Sequence, residues 1–138
     1  MRACLLLTAL LVPLVPVQAA TLTVTIANIR TARGHVRIGV CEKAQFLSER
    51  CTYHAIVSAK PGSVVAVIPD VQAGTYAVAA YQDETDSGHL RRGLFGIPKE
   101  GSGFSRDPSP GMGPPSFGQC AIGVGTGDVS VTVTLRYF

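Results

Sequence analysis

The sequence predicts an all-β fold, an antiparallel β-sandwich of about seven strands. Apolar and polar residues alternate with a period of two in several separate segments, as expected of strands with one buried face. The 138 residues include 15 glycines and 9 prolines, which favour turns over long helices. A content of 46% hydrophobic and 15% charged residues is sufficient for one buried core. We therefore expect a single domain.

The alternating runs predict the strands in order. We expect strands at residues 21–29, 35–41, 51–59, 63–68, 75–82, 120–124 and 128–138. The first two runs are separated by a short turn and are interpreted as a hairpin. Residues 42–50 predict a helical turn across one end of the sandwich. Small residues on both faces of 75–82 predict a central strand.

The start of the chain has the composition of a secretory signal peptide. Arg2 precedes an apolar run over residues 3–15, and residues 17–19 form a small-residue cleavage pattern. A membrane anchor would need about 20 apolar residues, and this run is shorter and interrupted by proline. We expect residues 1–19 to be removed and residues 20–138 to form the β-sandwich domain. The protein is then exported, to the periplasm or the extracellular medium, and has no membrane span after cleavage.

Charge and cysteine content exclude some classes of function. Removing Arg2 from the 12 Lys and Arg leaves 11 against 9 Asp and Glu, a net charge of +2. These charges form no basic stripe of the kind that nucleic acid binding requires. Three cysteines remain and permit three pairings; in an oxidising compartment Cys41 and Cys51 are the best disulfide candidates, with Cys120 left over. The alternative is that one or more are buried as small hydrophobic residues.

A long segment without periodicity separates the fifth strand from the last two. Residues 83–118 contain eight glycines, five prolines and three phenylalanines, Phe95, Phe104 and Phe117. Loops of this length are uncommon in compact domains unless they are functional or disordered. We expect the phenylalanines to anchor an ordered cover over one end or edge of the sandwich. The alternative is a loop that only protects an exposed strand edge.

Three motifs resemble a known family. The sequences GTYAVAAYQDETDSGHL, GLFGIPKEGSGFS and GPPSF occur in this order and precede an alternating terminal strand. They resemble the bacterial secreted family known as domain of unknown function 2141, over nearly the whole chain from Thr21 to Phe138. The resemblance implies an extracytoplasmic β-sandwich, similar to prealbumin-like and carboxypeptidase-regulatory-like sandwiches. It supplies no catalytic residue.

Members of this family commonly have an Asp- and Asn-rich loop that resembles the first half of a calcium-binding loop. The corresponding oxygen-bearing residues here are Asp83, Thr85, Asp86 and Ser87, followed by Gly88. Calcium requires several hard oxygen ligands held by a tight turn, and two carboxylate or amide ligands of the pattern are hydroxyls in this chain. The candidate functions of the loop are therefore a calcium site or a polar connection with local side-chain hydrogen bonds. No other cofactor is expected.

The segment after the acidic loop is basic. Arg91, Arg92, Lys99 and Arg106 are candidates to bind an anionic ligand, such as a glycan or an envelope polymer. The segment does not have the order of a phosphate-binding loop, because the lysine precedes the glycines and no helix follows.

No catalytic constellation is evident, and we expect the protein not to be an enzyme. Ser102 or Ser105 would need a histidine and an acid from elsewhere in the chain. The prediction is a non-catalytic binding module of the cell envelope, in which residues 83–118 present the surface for an unknown envelope ligand or protein. The alternative is a structural or accessory envelope domain that acts through strand-edge contacts with another protein.

Overall fold

The computed structural model describes residues 8–15 and 19–138, and eight strands lie within them. The basic start of the predicted leader and positions 17 and 18 of its cleavage pattern lie outside the described residues. The strands are β1 (Ala19–Ile29), β2 (His35–Cys41), β3 (Tyr53–Ser58), β4 (Gly62–Gln72), β5 (Gly74–Asp83), β6 (Ser102–Phe104), β7 (Ala121–Val124) and β8 (Val129–Thr134). The helical elements are two short 3₁₀ turns, Lys43–Gln45 and Leu94–Gly96, and the one-turn helix α1 (Phe117–Cys120). Within the described residues no helix is long and apolar enough to cross a membrane.

Two sheets form the sandwich. The first has the order β4-β1-β8, and the second has the order β3-β2-β5-β6, with β7 also paired to β5. Strands β1 and β8 run parallel, whereas the other pairs are antiparallel. The predicted β-sandwich and the central position of β5 are confirmed. The strand count exceeds the predicted seven because β6 lies inside the long loop.

The predicted hairpin between the first two strands is wrong. β1 pairs with β4 and β8, whereas β2 pairs with β3 and β5 in the other sheet. Near the end of β1 the register shifts between Ile26 and Ile29, and Asn28 has a φ of 63°. Such a bulge bends a strand away from its neighbour. Residues 30–34 then carry the chain across to the other sheet.

The core lies between the two sheets and comes from the alternate residues of the strands. Each fully buried aliphatic side chain stabilises the fold by about 1.5–3 kcal/mol. The fully or almost fully buried members from three central strands are Leu22, Val24, Ile26, Val36, Ile38, Val40, Val78 and Ala80. Because the alternation has a period of two, the residues between these positions face outward.

The outward faces of the two sheets differ in character. The three-stranded sheet presents short, uncharged side chains in register across its strands: Thr23, Thr25, Val65, Val67, Ser130 and Thr132. The five-stranded sheet presents a mixture of charged, aromatic and very small residues: Arg37, Gly39, His54, Ile56, Ala79 and Tyr81. The second face therefore carries the charged and aromatic side chains that the first face lacks at the positions named.

Two of the three phenylalanines of the long loop pack against a residue outside it. Phe104 and Phe117 each pack edge-on against Phe46, with ring centroids 5.9 and 5.8 Å apart. Phe95 does not anchor the loop, because it is 97% exposed. Residues 42–50, which supply Phe46, contain the predicted helical turn as the 3₁₀ turn Lys43–Gln45.

The loop also closes one end of the edge strand β8. The Thr134 amide donates to Asp107 Oδ1 at 2.8 Å, and its hydroxyl donates to Oδ2 at 3.0 Å. The next amide, that of Leu135, points the other way and donates to Ala27 of β1 at 3.0 Å. Asp107 therefore caps β8 on the side that β1 does not cover.

Candidate functional site

A cleft of about 480 Å³ lies on the outward face of the five-stranded sheet; we call it the sheet cleft. Its floor is low because Gly39 and Ala79 are directly paired across β2 and β5. The residues that rise around this floor include Arg37, Leu47, Glu49, His54, Ile56, Tyr81, Leu90, Arg92, Ser102 and Phe104. The volume of the cleft falls within the range of small-molecule sites, which is about 300–1,000 Å³.

One wall of the sheet cleft is held by a disulfide. Cys41 at the end of β2 is joined to Cys51, and the bond closes the loop that carries Leu47 and Glu49. A Cβ atom added at Gly39 would lie 3.1 Å from the Cys51 sulfur. The absence of a side chain at Gly39 thus leaves space for the disulfide and keeps the floor of the cleft open. Cys120 is a free, buried thiol, and burial raises its pKa while Arg106 opposes the rise.

A buried carboxylate fixes the arginine at the other side of the floor. Arg37 Nε donates to Asp83 Oδ2 at 2.7 Å, and the Asp83 side chain is completely buried. Asp83 also accepts from the Gly88 amide at 2.8 Å and from the Ser87 amide at 2.9 Å. Burial alone would raise the pKa of Asp83, but the hydrogen bonds from Gly88, Arg37 and Ser87 lower it below its ordinary value.

The terminal nitrogens of Arg37 remain available to a ligand. Within the described residues Nε is the one side-chain nitrogen of Arg37 with a hydrogen-bond partner. The side chain is 27% exposed, and the residue lines the sheet cleft. The hydrogen bond to Asp83 raises the pKa of Arg37, although burial opposes the rise. Arg37 therefore stays charged and is held in one place by an interaction behind the cleft.

Tyr81 supplies a second polar group beside Arg37, to which it is paired across the strands. Burial raises the pKa of Tyr81 to about 12, and the positive charge of Arg37 opposes the rise. The phenol is therefore neutral at physiological pH and able to donate a hydrogen bond.

The acidic turn after β5 contacts basic residues of β2 and of the connection before it. Besides the Arg37–Asp83 pair, Glu84 lies 3.5 Å from Arg33, and Asp86 Oδ1 lies 2.6 Å from His35 Nδ1. Of the residues predicted as calcium ligands, Asp83 is saturated by protein donors, Asp86 is engaged by His35, and Ser87 Oγ is bonded to Asp83. Thr85, the fourth, is exposed.

Within the described part of the chain, no group of three or more His, Cys, Asp or Glu residues is placed to hold a metal ion. The geometry of this turn is that of a polar connection with local side-chain to backbone hydrogen bonds.

The four predicted ligand-binding basic residues do not form one cluster. Arg91 is tied to the buried carboxylate of Glu100 by a 3.0 Å contact, and Lys99 lies beside it on the opposing arm of the same hairpin. Arg92 donates to the Gly96 carbonyl at 3.0 Å and lines the sheet cleft. Arg106 lies beyond β6 and donates to the Gly118 carbonyl at 3.1 Å. Arg92 alone among the four reaches the sheet cleft.

Sequence reasoning missed Arg37, Tyr81 and the buried Glu100 as functional or structural groups. Arg37 lies at an outward position of its run, so the alternation did mark it as outside the core, whereas both faces of the run that contains Tyr81 were expected to be covered. Their pairing across β2 and β5, which places them side by side, depends on strand register. The hairpin predicted between the first two strands gave β2 the wrong neighbour.

The fold and the site define a β-sandwich protein with a disulfide and an open cleft on one sheet. The sequence profile of a family described as "Uncharacterized protein conserved in bacteria (DUF2141)" matches residues 24–132. The chain belongs to this family, and the resemblance noted in its motifs is confirmed. No curated protein and no solved structure matches the chain significantly.

Proposed function

We propose that this protein is a non-catalytic binding module whose ligand occupies the sheet cleft. The observation that supports this most directly is the arrangement around the glycine and alanine floor, where a buried carboxylate holds Arg37 in place at the edge of an open depression. A binding site gains affinity when its polar groups are fixed before the ligand arrives. The cleft meets this condition through Asp83 on one side and the disulfide on the other.

The lining of the cleft favours a compact ligand with an apolar body and one anionic group. Leu47, Ile56 and Phe104 offer apolar surface around the floor. The terminal nitrogens of Arg37 suit a carboxylate, because a guanidinium donates two parallel hydrogen bonds to two oxygens. Tyr81 adds a neutral donor on the same side.

The serines considered for catalysis support a non-catalytic role. Ser105 is completely buried, accepts from the Val78 amide at 2.9 Å and donates to the Cys120 carbonyl at 2.5 Å. Its hydroxyl is used to join the loop to β5. Ser102 lies at the rim of the cleft, and its backbone pairs with Arg136 through bonds of 3.0 and 2.8 Å.

We further propose that the module works outside the cytoplasm. The Cys41–Cys51 disulfide is of the kind that persists in oxidising compartments. The apolar run Leu10–Val15 is exposed and outside the sandwich, as a leader that is later removed would be. The mass of the protein recovered from an envelope fraction tests this: loss of the first 19 residues supports export, and an intact amino terminus contradicts it.

Binding is tested with octanoate as an anionic, partly apolar probe and octan-1-ol as its uncharged counterpart. We expect octanoate to raise the thermal midpoint of residues 20–138 and octan-1-ol to raise it less, because a ligand that binds only the folded state stabilises it. Ala79→Leu fills the floor and is expected to abolish the rise. Ala32→Leu, the same change at an exposed site away from the cleft, is the matched control. An octanoate effect that survives Ala79→Leu contradicts the proposed site.

The alternative function, pairing of an edge strand with another protein, has less support at β8 than ligand binding has at the sheet cleft. The Thr134 amide already donates to Asp107, and the backbone of Arg136 is already hydrogen-bonded to that of Ser102. A partner strand would have to displace these contacts to extend the sheet there.

A further inference from the structure

We propose that the hairpin formed by residues 91–99, called here the tip hairpin, docks the protein on an anionic lipid surface. Its apolar tip, Leu94 and Phe95, enters the interface between headgroups and acyl chains, and its basic arms contact the headgroups. This inference does not depend on the ligand proposed for the sheet cleft, although Arg92 of the hairpin also lines that cleft.

The tip hairpin is closed by backbone hydrogen bonds between its two arms. Arg92 and Pro98 form an antiparallel bridge between its two arms. The Lys99 amide donates to the Arg91 carbonyl at 2.9 Å, and the Gly93 amide donates to the Ile97 carbonyl at 2.8 Å. These bonds close the loop at two levels, so the residues between them are presented in a defined orientation.

The tip exposes large apolar side chains that a protein in water normally covers. Leu94 is 83% exposed and Phe95 is 97% exposed. Phe95 also has a φ of 58°, a left-handed conformation that is uncommon for a bulky residue. Backbone strain of this kind is found where function requires a particular geometry. Here it coincides with an aromatic ring projected into solvent.

The apolar surface continues from the tip to its neighbours. Phe95 and Ile97 line a second cleft of about 740 Å³ together with Met112 and Phe138. Met112 and Phe138 are both exposed as well. The exposed tip is thus part of a wider apolar region rather than a single misplaced side chain.

The positive charge of the hairpin arms favours an anionic lipid surface as the partner. Arg91, Arg92 and Lys99 are exposed on the arms, and Glu100 is the acidic residue between positions 91 and 100, which leaves a net charge of +2. The Arg92 guanidinium donates to the Gly96 carbonyl, so one positive charge is fixed directly behind the tip. Apolar tips with basic flanks are typical of segments that lie in membrane interfaces, where both features contribute to binding.

The sequence offers a direct probe of insertion, because it contains no tryptophan. Phe95→Trp in residues 20–138 places a single indole at the tip, and the predicted leader is absent from every protein compared. We expect its fluorescence to shift to the blue, and the protein to sediment, with vesicles of phosphatidylcholine and phosphatidylglycerol at 3:1. Both effects should weaken in high salt. An unshifted spectrum together with protein that stays in the supernatant would overturn the proposal.

Variants separate the apolar and the basic contributions. Leu94→Ser with Phe95→Ser is expected to weaken vesicle binding about tenfold or more, and Arg92→Gln with Lys99→Gln about tenfold. The matched control is Val65→Ser with Val67→Ser, which removes two exposed apolar residues from the three-stranded sheet and should leave binding unchanged. Equal loss in the control, or equal binding of the tip variant and the parent, contradicts the assignment to the tip. Equal binding to pure phosphatidylcholine contradicts the selection of anionic lipid.

Discussion

The buried ion pair beside the sheet cleft leads to a quantitative prediction for Asp83→Asn. The carboxylate accepts hydrogen bonds from Arg37, Ser87 and Gly88 within a completely buried site. An asparagine keeps one acceptor oxygen and puts an amide nitrogen where the other was. Either the Arg37 and Gly88 donors or the Ser87 donors must then lose their acceptor.

The magnitude follows from the burial of the pair. Removing one partner of a buried ion pair costs about 3–5 kcal/mol, and we take the lower end because the Arg37 side chain is 27% exposed. A loss of about 3 kcal/mol corresponds to a fall of about 10 °C in the thermal midpoint for a domain of this size. The control is Glu84→Gln at the 3.5 Å pair with Arg33, whose side chain is 68% exposed. Exposed pairs contribute about 1 kcal/mol or less.

The lowered pKa of Asp83 determines how its contribution to stability changes with pH. Because the folded state lowers the pKa of Asp83, its contribution to stability is fully present above the unfolded value of about 3.9 and is lost as pH falls through the folded pKa. In urea unfolding, the difference in the free energy of unfolding between parent and variant should therefore be constant from about pH 5 to about pH 8, which is above the unfolded pKa. The difference should become smaller below about pH 4. If Asp83→Asn is no more destabilising than Glu84→Gln, the account of the buried pair is wrong.

Three further predictions address other parts of the structure. In an alkaline absorbance titration, Tyr81→Phe should remove a phenol that titrates near pH 12, and the loss of an ordinary phenol near pH 10 instead would contradict its burial. Gly103→Ala should lower the free energy of unfolding by about 1–3 kcal/mol, because its Cβ would lie 2.5 Å from the Thr134 carbonyl oxygen. The control, Gly123→Ala, should be nearly neutral because its Cβ would meet nothing within 4 Å. Similar thermal midpoints for the two variants would count against the close approach of β6 and β8. Millimolar calcium, added and then chelated, should leave the thermal midpoint unchanged because the oxygens of Asp83 are already occupied, and a reversible rise would restore the cation site.

The sequence was sufficient to predict seven of the eight described strands, all except β6, because their alternation is also the physical basis of the core. Leu22, Val24 and Ile26 could be assigned to a buried face without knowing what they pack against. The partners of each strand could not be predicted in the same way. Pairing depends on bends such as the one at Asn28, which only the folded chain reveals.

The candidate site was predictable only in part, for the same reason. The acidic turn was interpreted as a polar connection or a cation site, but the basic residues that contact it lie far earlier in the chain. Arg37 and Asp83, for example, are separated by 46 positions. The basic residues near the turn, Arg91 and Arg92, bond elsewhere. Proximity in sequence was therefore a poor guide to ion pairing here. The tip hairpin shows the converse, since a phenylalanine expected to anchor the loop is exposed.

The sheet cleft is tested most directly by amide chemical shifts of the isotope-labelled protein during titration with octanoate. We expect saturable shifts at Gly39, Ala79 and Tyr81, which form or border the floor, and none at Thr23 and Thr25 on the opposite outward face. Shifts that are absent from the floor, or spread equally over both faces, would contradict the claim that this protein binds its ligand in the cleft.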